Sequence, residues 1–370
     1  MIPIFAPVFK ERERDLLLEC IDTGWISSQG RFIPYFEEQF AAWNGMRYGV
    51  ATSSCTTALH LVLVSLGIGP GDEVLCPDLT FIAPANMIRL AGLKPVFVDV
   101  EEPGWGLNPE HLEHKVNPRT RAVMVVHPLG HAADMDPIME LAREHGLKVI
   151  EDVAEAPGAE YKGRRVGTFG DASCYSFFAN KIMTTGEGGI ILTNDPELNE
   201  WLRIYRDHGM SRKERYVPIA AGFNYRMTNM QAAVGVAQME RLDEILQVRA
   251  RQAEVYKGVF ADNPRAVWRP VAEWCRPVHW MATITLRDAS LRLRDPLLAH
   301  MREKGIDCRQ MVYPVHMAEP YKEVNDPEEF PVSTSVSLRS LHLPSSLGLK
   351  PEEIKYIAET ALEWLDRHDN

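Results

Sequence analysis

The chain contains no Cys-x-x-Cys pair: its six cysteines stand apart at positions 20, 55, 76, 174, 275 and 308. Neither a zinc site nor a disulfide framework is therefore expected, and scattered cysteines in a chain of this size suit a reducing compartment. No run of about 18 apolar residues is present, so no membrane-crossing helix is expected. The start, Met1-Ile2-Pro3-Ile4-Phe5-Ala6-Pro7, lacks a basic segment followed by an apolar one, so no secretory signal is expected and the cytoplasm is the expected location. Positive charge is in deficit, with 40 Lys and Arg against 51 Asp and Glu and a net charge of −11. That balance disfavours nonspecific nucleic-acid binding and anionic membrane surfaces, and an anionic substrate then needs a local basic patch. Tandem repeats and low-complexity tracts are missing as well.

What remains is a globular composition, 45% hydrophobic and 25% charged, in 370 residues, which is too long for one simple core. From about residue 49 to 195, short apolar strands alternate with helices. Glu73–Pro77, Val96–Val100, Arg121–His127 and Lys148–Asp152 read as strands; Thr57–Leu66, Ala83–Ala91 and Met135–His145 read as helices. This alternation predicts an α/β fold around a mostly parallel sheet covered on both faces. Thr228–Val248 reads as one long helix, and beyond about residue 250 the elements shorten: a strand at Met281–Leu286 and helices at Asp295–Lys304 and Pro351–His368. We therefore expect a large domain over residues 1–248, including an N-terminal segment, and a smaller C-terminal domain over 249–370. The run Gly67-Ile68-Gly69-Pro70-Gly71 is not a dinucleotide fingerprint, because it follows a helix and precedes a strand; it reads as a helix-ending turn.

Lys181 stands in Ser176-Phe177-Phe178-Ala179-Asn180-Lys181, just before the glycine-rich run Thr184–Gly189, and 29 residues after Asp152. A lysine among aromatic and small residues, preceded by an acid at a strand end, suits a lysine that bonds an aldehyde cofactor whose pyridine nitrogen is held by that acid. That pattern points to pyridoxal 5'-phosphate. Asp152, at the C-terminal end of a buried strand, lies where ligands collect in open α/β sheets. Thr52-Ser53-Ser54-Cys55-Thr56 opens a helix, so its free N–H groups and the positive helix end favour a phosphate. Ser176 and Asn180 are candidates to complete that cradle, and Phe81 is a candidate to stack on the cofactor ring. His127 and His131 have i, i+4 spacing, but Pro128 and Gly130 exclude a shared helical face, so the pair reads as a loop lining the site rather than a metal ligand set.

Taken with Gly24–Gly30, Glu151–Ala156, Gly167–Asp171, Ser176–Gly189, Phe223–Asn229 and Tyr313–His316, the chain resembles the DegT/DnrJ/EryC1/StrS aminotransferases over nearly its whole length. The resemblance implies a fold type I PLP-dependent transferase, aspartate aminotransferase-like, with a large seven-stranded mixed sheet and a smaller α/β C-terminal domain. It assigns Lys181 as the cofactor-bonding lysine, Asp152 as the ring-nitrogen acid, and Ser54, Cys55, Thr56 and Ser176 to the phosphate. It also implies stacking by Phe81, a polar contact from Glu155, and Asn224 reaching the phosphate of a partner subunit in a homodimer. Trp25, Ser27, Tyr313 and His316 are implied in substrate binding. Two departures stand in that loop: Ser54 replaces the family's common asparagine and Cys55 its common glycine, which requires that φ at Cys55 not be positive. The implied reaction moves an amino group from L-glutamate to a nucleotide-linked keto-sugar. The resemblance is closest to members that make GDP-perosamine from GDP-4-keto-6-deoxymannose; UDP- or dTDP-linked keto-sugars are the alternatives. Relatives that dehydrate sugars carry histidine in place of the lysine, so Lys181 argues against that chemistry, and a non-catalytic regulator would have no use for Lys181, Asp152 and the phosphate loop together.

Overall fold

The computed structural model describes residues 1–214, 216–287, 291–322 and 325–368. Seven strands form the main sheet, in the spatial order Tyr48–Thr52, Gly189–Thr193, Ala172–Ser176, Lys148–Asp152, Thr120–Val126, Glu73–Pro77 and Lys94–Val98. The five at the latter end run parallel, and Gly189–Thr193 is antiparallel to both of its neighbours. Central strands are buried throughout, as a sheet covered on both faces requires. Alternate residues serve alternate faces: Val123, Val125 and Val149 join one core with Leu16, Phe36, Phe40 and Phe177, while Ala122, Met124 and Ile150 join another with Leu59, Leu61 and Val62. Each of these buried Val, Leu, Ile, Met and Phe side chains contributes about 1.5–3 kcal/mol of transfer free energy.

The helices end where the chain chemistry ends them. Met135–His145 buries Ile138, Leu141 and Ala142 and stops at Gly146, whose φ of 62° suits a left-handed cap. Pro196–Arg206 starts at Asp195, whose Oδ1 accepts the N–H groups of Glu197 and Leu198 at 2.8 and 3.1 Å. From this helix Arg203 and Arg206 reach the buried carboxylate of Glu37 at 2.9 and 2.6 Å, tying helix Phe32–Trp43 to the sheet edge. Burial pushes the Glu37 carboxyl up, but Arg206 and Arg203 outweigh it and hold the group below its usual value.

A second, antiparallel sheet runs Ala266–Trp268, Ala282–Leu286, Ser340–Leu343 and Arg309–Gln310. Its core includes Tyr256, Phe260, Ile284, Leu341 and Ile357. Two expectations need adjustment. The helix expected over 228–248 is two helices, Asn229–Met239 and Leu242–Phe260, broken at Glu240-Arg241, where Arg241 turns to the carbonyl of Val8 at 3.1 Å and to Glu13 at 3.5 Å. The expected division at 248/249 falls inside the second of them, which places Leu242 and Ile245 in the first core and Tyr256 and Phe260 in that of the small sheet. Gly67–Gly71 is the expected turn between helix Cys55–Ser65 and strand Glu73–Pro77.

Candidate active site

A cavity of about 350 Å³ opens at the C-terminal ends of the parallel strands. Strand Lys148–Asp152 delivers Asp152 to it, strand Ala172–Ser176 delivers Ser176, and the turn after Glu73–Pro77 delivers Thr80 and Phe81. This is the end of an open α/β sheet at which crossing connections leave room for a ligand. Helix Cys55–Ser65 points its N-terminus into the same space, so Ser54, Cys55 and Thr56 line it. Glu155, Asn180 and Lys181 line it as well.

The helix start leaves its first backbone donors free. Ser54 is the N-cap, with its Oγ accepting the Thr57 N–H at 3.1 Å, and the backbone ladder begins only with Ala58 donating to Ser54 O. The N–H groups of Cys55 and Thr56 precede that ladder and are available to a ligand. Cys55 is the first helical residue and is not among the residues with positive φ, so the condition set by its replacement of glycine is met. Asn180 Oδ1 is buried on the cavity wall and has no partner within the protein.

Asp152 is 6% exposed, and burial raises its carboxyl to about 6, against the lowering effects of the Ala154 N–H and the Lys181 charge. The Cys55 thiol lies 3.9 Å from Asp152 Oδ1, and burial raises that thiol well above its usual value, so it remains a neutral donor. Lys181 Nζ lies 3.6 Å from Glu155 Oε1 and 3.9 Å from the centroid of the Trp280 ring. The Glu155 Oε2 atom accepts the Leu129 N–H at 2.7 Å.

The five remaining candidates lie off this cavity. Asn224 is exposed, with its Oδ1 accepting from Arg226 Nε at 3.0 Å. Trp25 and Tyr313 are 58% and 55% exposed. The Ser27 carbonyl accepts the Asn229 N–H at 2.6 Å, and Asn229 Nδ2 donates to Trp25 O at 2.7 Å, so one asparagine pins that loop. His316 is buried, its N–H and Nδ1 both at 2.7 Å from the Asp78 carboxylate and its ring stacked on Phe330. His127 and His131 do not line the cavity as expected. His127 Nδ1 accepts the Ala133 N–H at 3.1 Å, which leaves its Nε2–H for Glu151 at 3.1 Å. His131 Nε2 accepts the Ala272 N–H at 3.0 Å, and burial holds that imidazole down at about 3. Both are fully buried, held by Glu151, Ala133 and Ala272, and neither lines the cavity.

Trp280 is the residue that the motifs did not announce. It arrives 99 positions after Lys181, from a tract (Val278-His279-Trp280-Met281) with the look of an ordinary core segment before a strand. Thr80, Phe178 and Glu187 also line the cavity, their placement fixed by neighbouring motif residues.

Comparison with known proteins bears on this arrangement. The model of the DegT/DnrJ/EryC1/StrS aminotransferase family matches residues 7–362. GDP-perosamine synthase of Caulobacter vibrioides is 45% identical over 95% of this chain and 95% of its own, and that of Escherichia coli O157:H7 is 39% identical over 98% of each. Among solved structures, the PLP-form of the sugar aminotransferase Spr1654 from Streptococcus pneumoniae, itself described as putative, superposes with a TM-score of 0.95 at 25% identity, covering 100% of both chains. With a family model spanning nearly all of its length and a cavity assembled from the motifs that carry the likeness, this chain belongs to the DegT/DnrJ/EryC1/StrS aminotransferase family.

Proposed function

We propose that this enzyme transfers an amino group from L-glutamate to the keto carbon of GDP-4-keto-6-deoxymannose, producing GDP-perosamine, with pyridoxal 5'-phosphate held in the cavity at the sheet end. The observation that carries the reading is the convergence of Lys181, Asp152 and the free start of helix Cys55–Ser65 on one cavity. The choice of sugar rests on the GDP-perosamine synthases among its relatives, at 39–45% identity over nearly the whole chain.

The residues fit the cofactor group by group. The N–H groups of Cys55 and Thr56, with the Thr56 and Ser176 hydroxyls, suit a phosphate, and the Asn180 Oδ1 without a protein partner suits a donor on the ligand. Phe81 offers a ring face, being 63% exposed at the cavity mouth. Pyridoxal 5'-phosphate, when bound, supplies a protonated ring that draws electron density away from the reacting carbon. Asp152 supports that charge: its carboxylate is buried, and a protonated ring nitrogen beside it would add to the Ala154 N–H and the Lys181 charge in favouring the ionised form. Lys181 anchors the group and, once displaced, takes a proton at Nζ and returns it on the other side of the transfer. Trp280, 3.9 Å from Nζ, narrows the space around it and limits water there.

Trp25, Ser27, Tyr313 and His316 are assigned to the sugar-nucleotide side and Asn224 to the site of a second copy, which makes a homodimer part of the proposal. Support for a partner surface comes from the exposed apolar side chains Phe9, Leu18, Ile21, Trp25 and Ile26 on adjoining segments. No helix among the described residues is long and apolar enough to cross a membrane, and the cytoplasm is the proposed location.

The test is incubation with L-glutamate and a panel of GDP-, UDP- and dTDP-linked keto-sugars, read by mass and product NMR. GDP-perosamine is the expected product, and reaction with UDP- or dTDP-sugars alone would overturn the choice of substrate. Lys181→Ala should abolish turnover. Mixing inactive Asn224→Ala and Lys181→Ala chains should restore part of the activity if Asn224 serves its partner's site.

A further inference from the structure

Arg269 is 3% exposed, and among the described residues no carboxylate lies within ion-pair distance of it. Its guanidinium is spent instead on two carbonyls, Pro128 O at 2.9 Å and Leu129 O at 3.3 Å. Arginine carries its donors in a rigid fork, so holding two successive carbonyls fixes a turn as a point charge cannot. The turn it holds is an unusual one, for Leu129 sits at φ 53°, ψ 26°, a left-handed conformation that a branched residue resists. In that conformation the Leu129 N–H points at Glu155 Oε2, 2.7 Å away, and Glu155 Oε1 faces Lys181 Nζ at 3.6 Å. Each link has a partner that excludes slack: Leu129 is 2% exposed, and Trp280 covers the other side of Nζ at 3.9 Å.

We propose that Arg269 is a positioning residue for Lys181, acting through the left-handed turn at Leu129 and the carboxylate of Glu155 to aim Nζ into the cavity. A segment 88 residues beyond the lysine (269 − 181) thus sets its direction. Electrostatics agree with the geometry: burial pushes the Arg269 guanidinium down to about 10, and the Cys275 and Glu155 charges pull it back up. The other charged or titratable groups near Nζ are Asp152, Glu187 and Cys55. None of them receives the Leu129 N–H, so the relay runs through Glu155.

The inference rests on Lys181 being the residue that bonds the cofactor aldehyde. In that step the lysine nitrogen bonds to the aldehyde carbon, and the oxygen leaves as water with two protons from the amine. The experiment uses the cofactor-free full chain and two probes. Stopped-flow absorbance with pyridoxal 5'-phosphate reads bond formation by Lys181; equilibrium titration with pyridoxamine 5'-phosphate, which has an amine in place of the aldehyde, reads the cradle without the lysine bond. Arg269→Lys cannot hold both carbonyls, and Glu155→Gln turns an amide donor toward a donor. Each is expected to slow capture about tenfold, and Arg269→Lys, at a residue off the cavity wall, to leave pyridoxamine phosphate affinity within about twofold. The double variant should be no slower than the slower single one, since both act on one path.

A general loosening of the site would instead weaken both probes together, and independent roles would multiply the two effects; either result overturns the relay. If Arg269→Lys fails to fold, Arg269→Gln, which keeps a donor for only one of the two carbonyls, decides by the same split between probes. Failure of the unaltered chain to capture pyridoxal phosphate at all would overturn the functional reading and this inference with it.

Discussion

Trp280 lays its indole ring 3.9 Å from Lys181 Nζ and gives its Nε1–H to the carbonyl of Asn180 at 2.6 Å, so one side chain holds both the lysine and the residue before it. At about 1 kcal/mol each, a cation–π contact and a hydrogen bond of this kind together come to about 2 kcal/mol, or roughly thirtyfold. Trp280→Ala should therefore lower kcat/KM by roughly that factor, with Trp280→Phe in between because it keeps a ring but loses the N–H. Wild-type kinetics in the alanine variant would remove Trp280 from the site.

Asp152 links stability to pH in the direction opposite to an ordinary paired carboxylate. Its folded value is raised, from 3.8 to about 6, so its contribution is fully present below the unfolded value and is lost as pH rises through about 6. Ionising it in the cofactor-free chain costs on the order of 3 kcal/mol. Asp152→Asn, which can still accept the Ala154 N–H, should raise the melting temperature of the cofactor-free chain at pH 8 and leave it unchanged near pH 4, while turnover falls at least about a hundredfold. Equal melting shifts at both pH values would contradict this account.

Glu37 behaves the other way. Its folded value is depressed beneath the two arginines, so its stabilisation is present above the unfolded value of 4.5 and lost as pH falls through the folded one. Glu37→Gln leaves Arg203 and Arg206 without a counter-charge at a site 7% exposed, a loss of about 3–5 kcal/mol at pH 7. Urea unfolding should show that deficit undiminished at pH 7 and 6 and shrinking below about pH 4.5.

Asn229 joins the N-terminal loop to the body of the protein through Phe32 N–H at 3.0 Å and Trp25 O at 2.7 Å. Asn229→Ala should cost about 2 kcal/mol and speed amide exchange at Phe32. Gly30→Ala should produce a related defect, since a Cβ there would lie 2.3 Å from Asn229 Cγ. Unchanged exchange in both variants would show the loop to be held elsewhere.

The legible part of this molecule was the part whose chemistry is local. Strand Lys148–Asp152 and helix Met135–His145 have the bounds that their apolar periodicity predicts. Cys55, Asp152 and Lys181 each announce themselves by a neighbour in sequence, and they meet because parallel strands end on one side. Trp280 and Arg269 carry no such signal; a buried tryptophan or arginine looks the same whether it serves a core or a cavity. The break at Glu240-Arg241 was equally silent, having no glycine or proline, because the pull on Arg241 comes from Val8 and Glu13 more than 200 positions away. His127 and His131 were misplaced for the same reason, since their partners Glu151 and Ala272 are remote in sequence.

Helix Leu242–Phe260 contributes its first turns to one core and its last turns to another, with no loop between them. A severed chain at residue 248 would leave each fragment with a raw helical end and missing apolar side chains, so neither half is a natural unit for expression. Melting should accordingly be a single event, in which the small sheet and the lysine-bearing sheet are lost together.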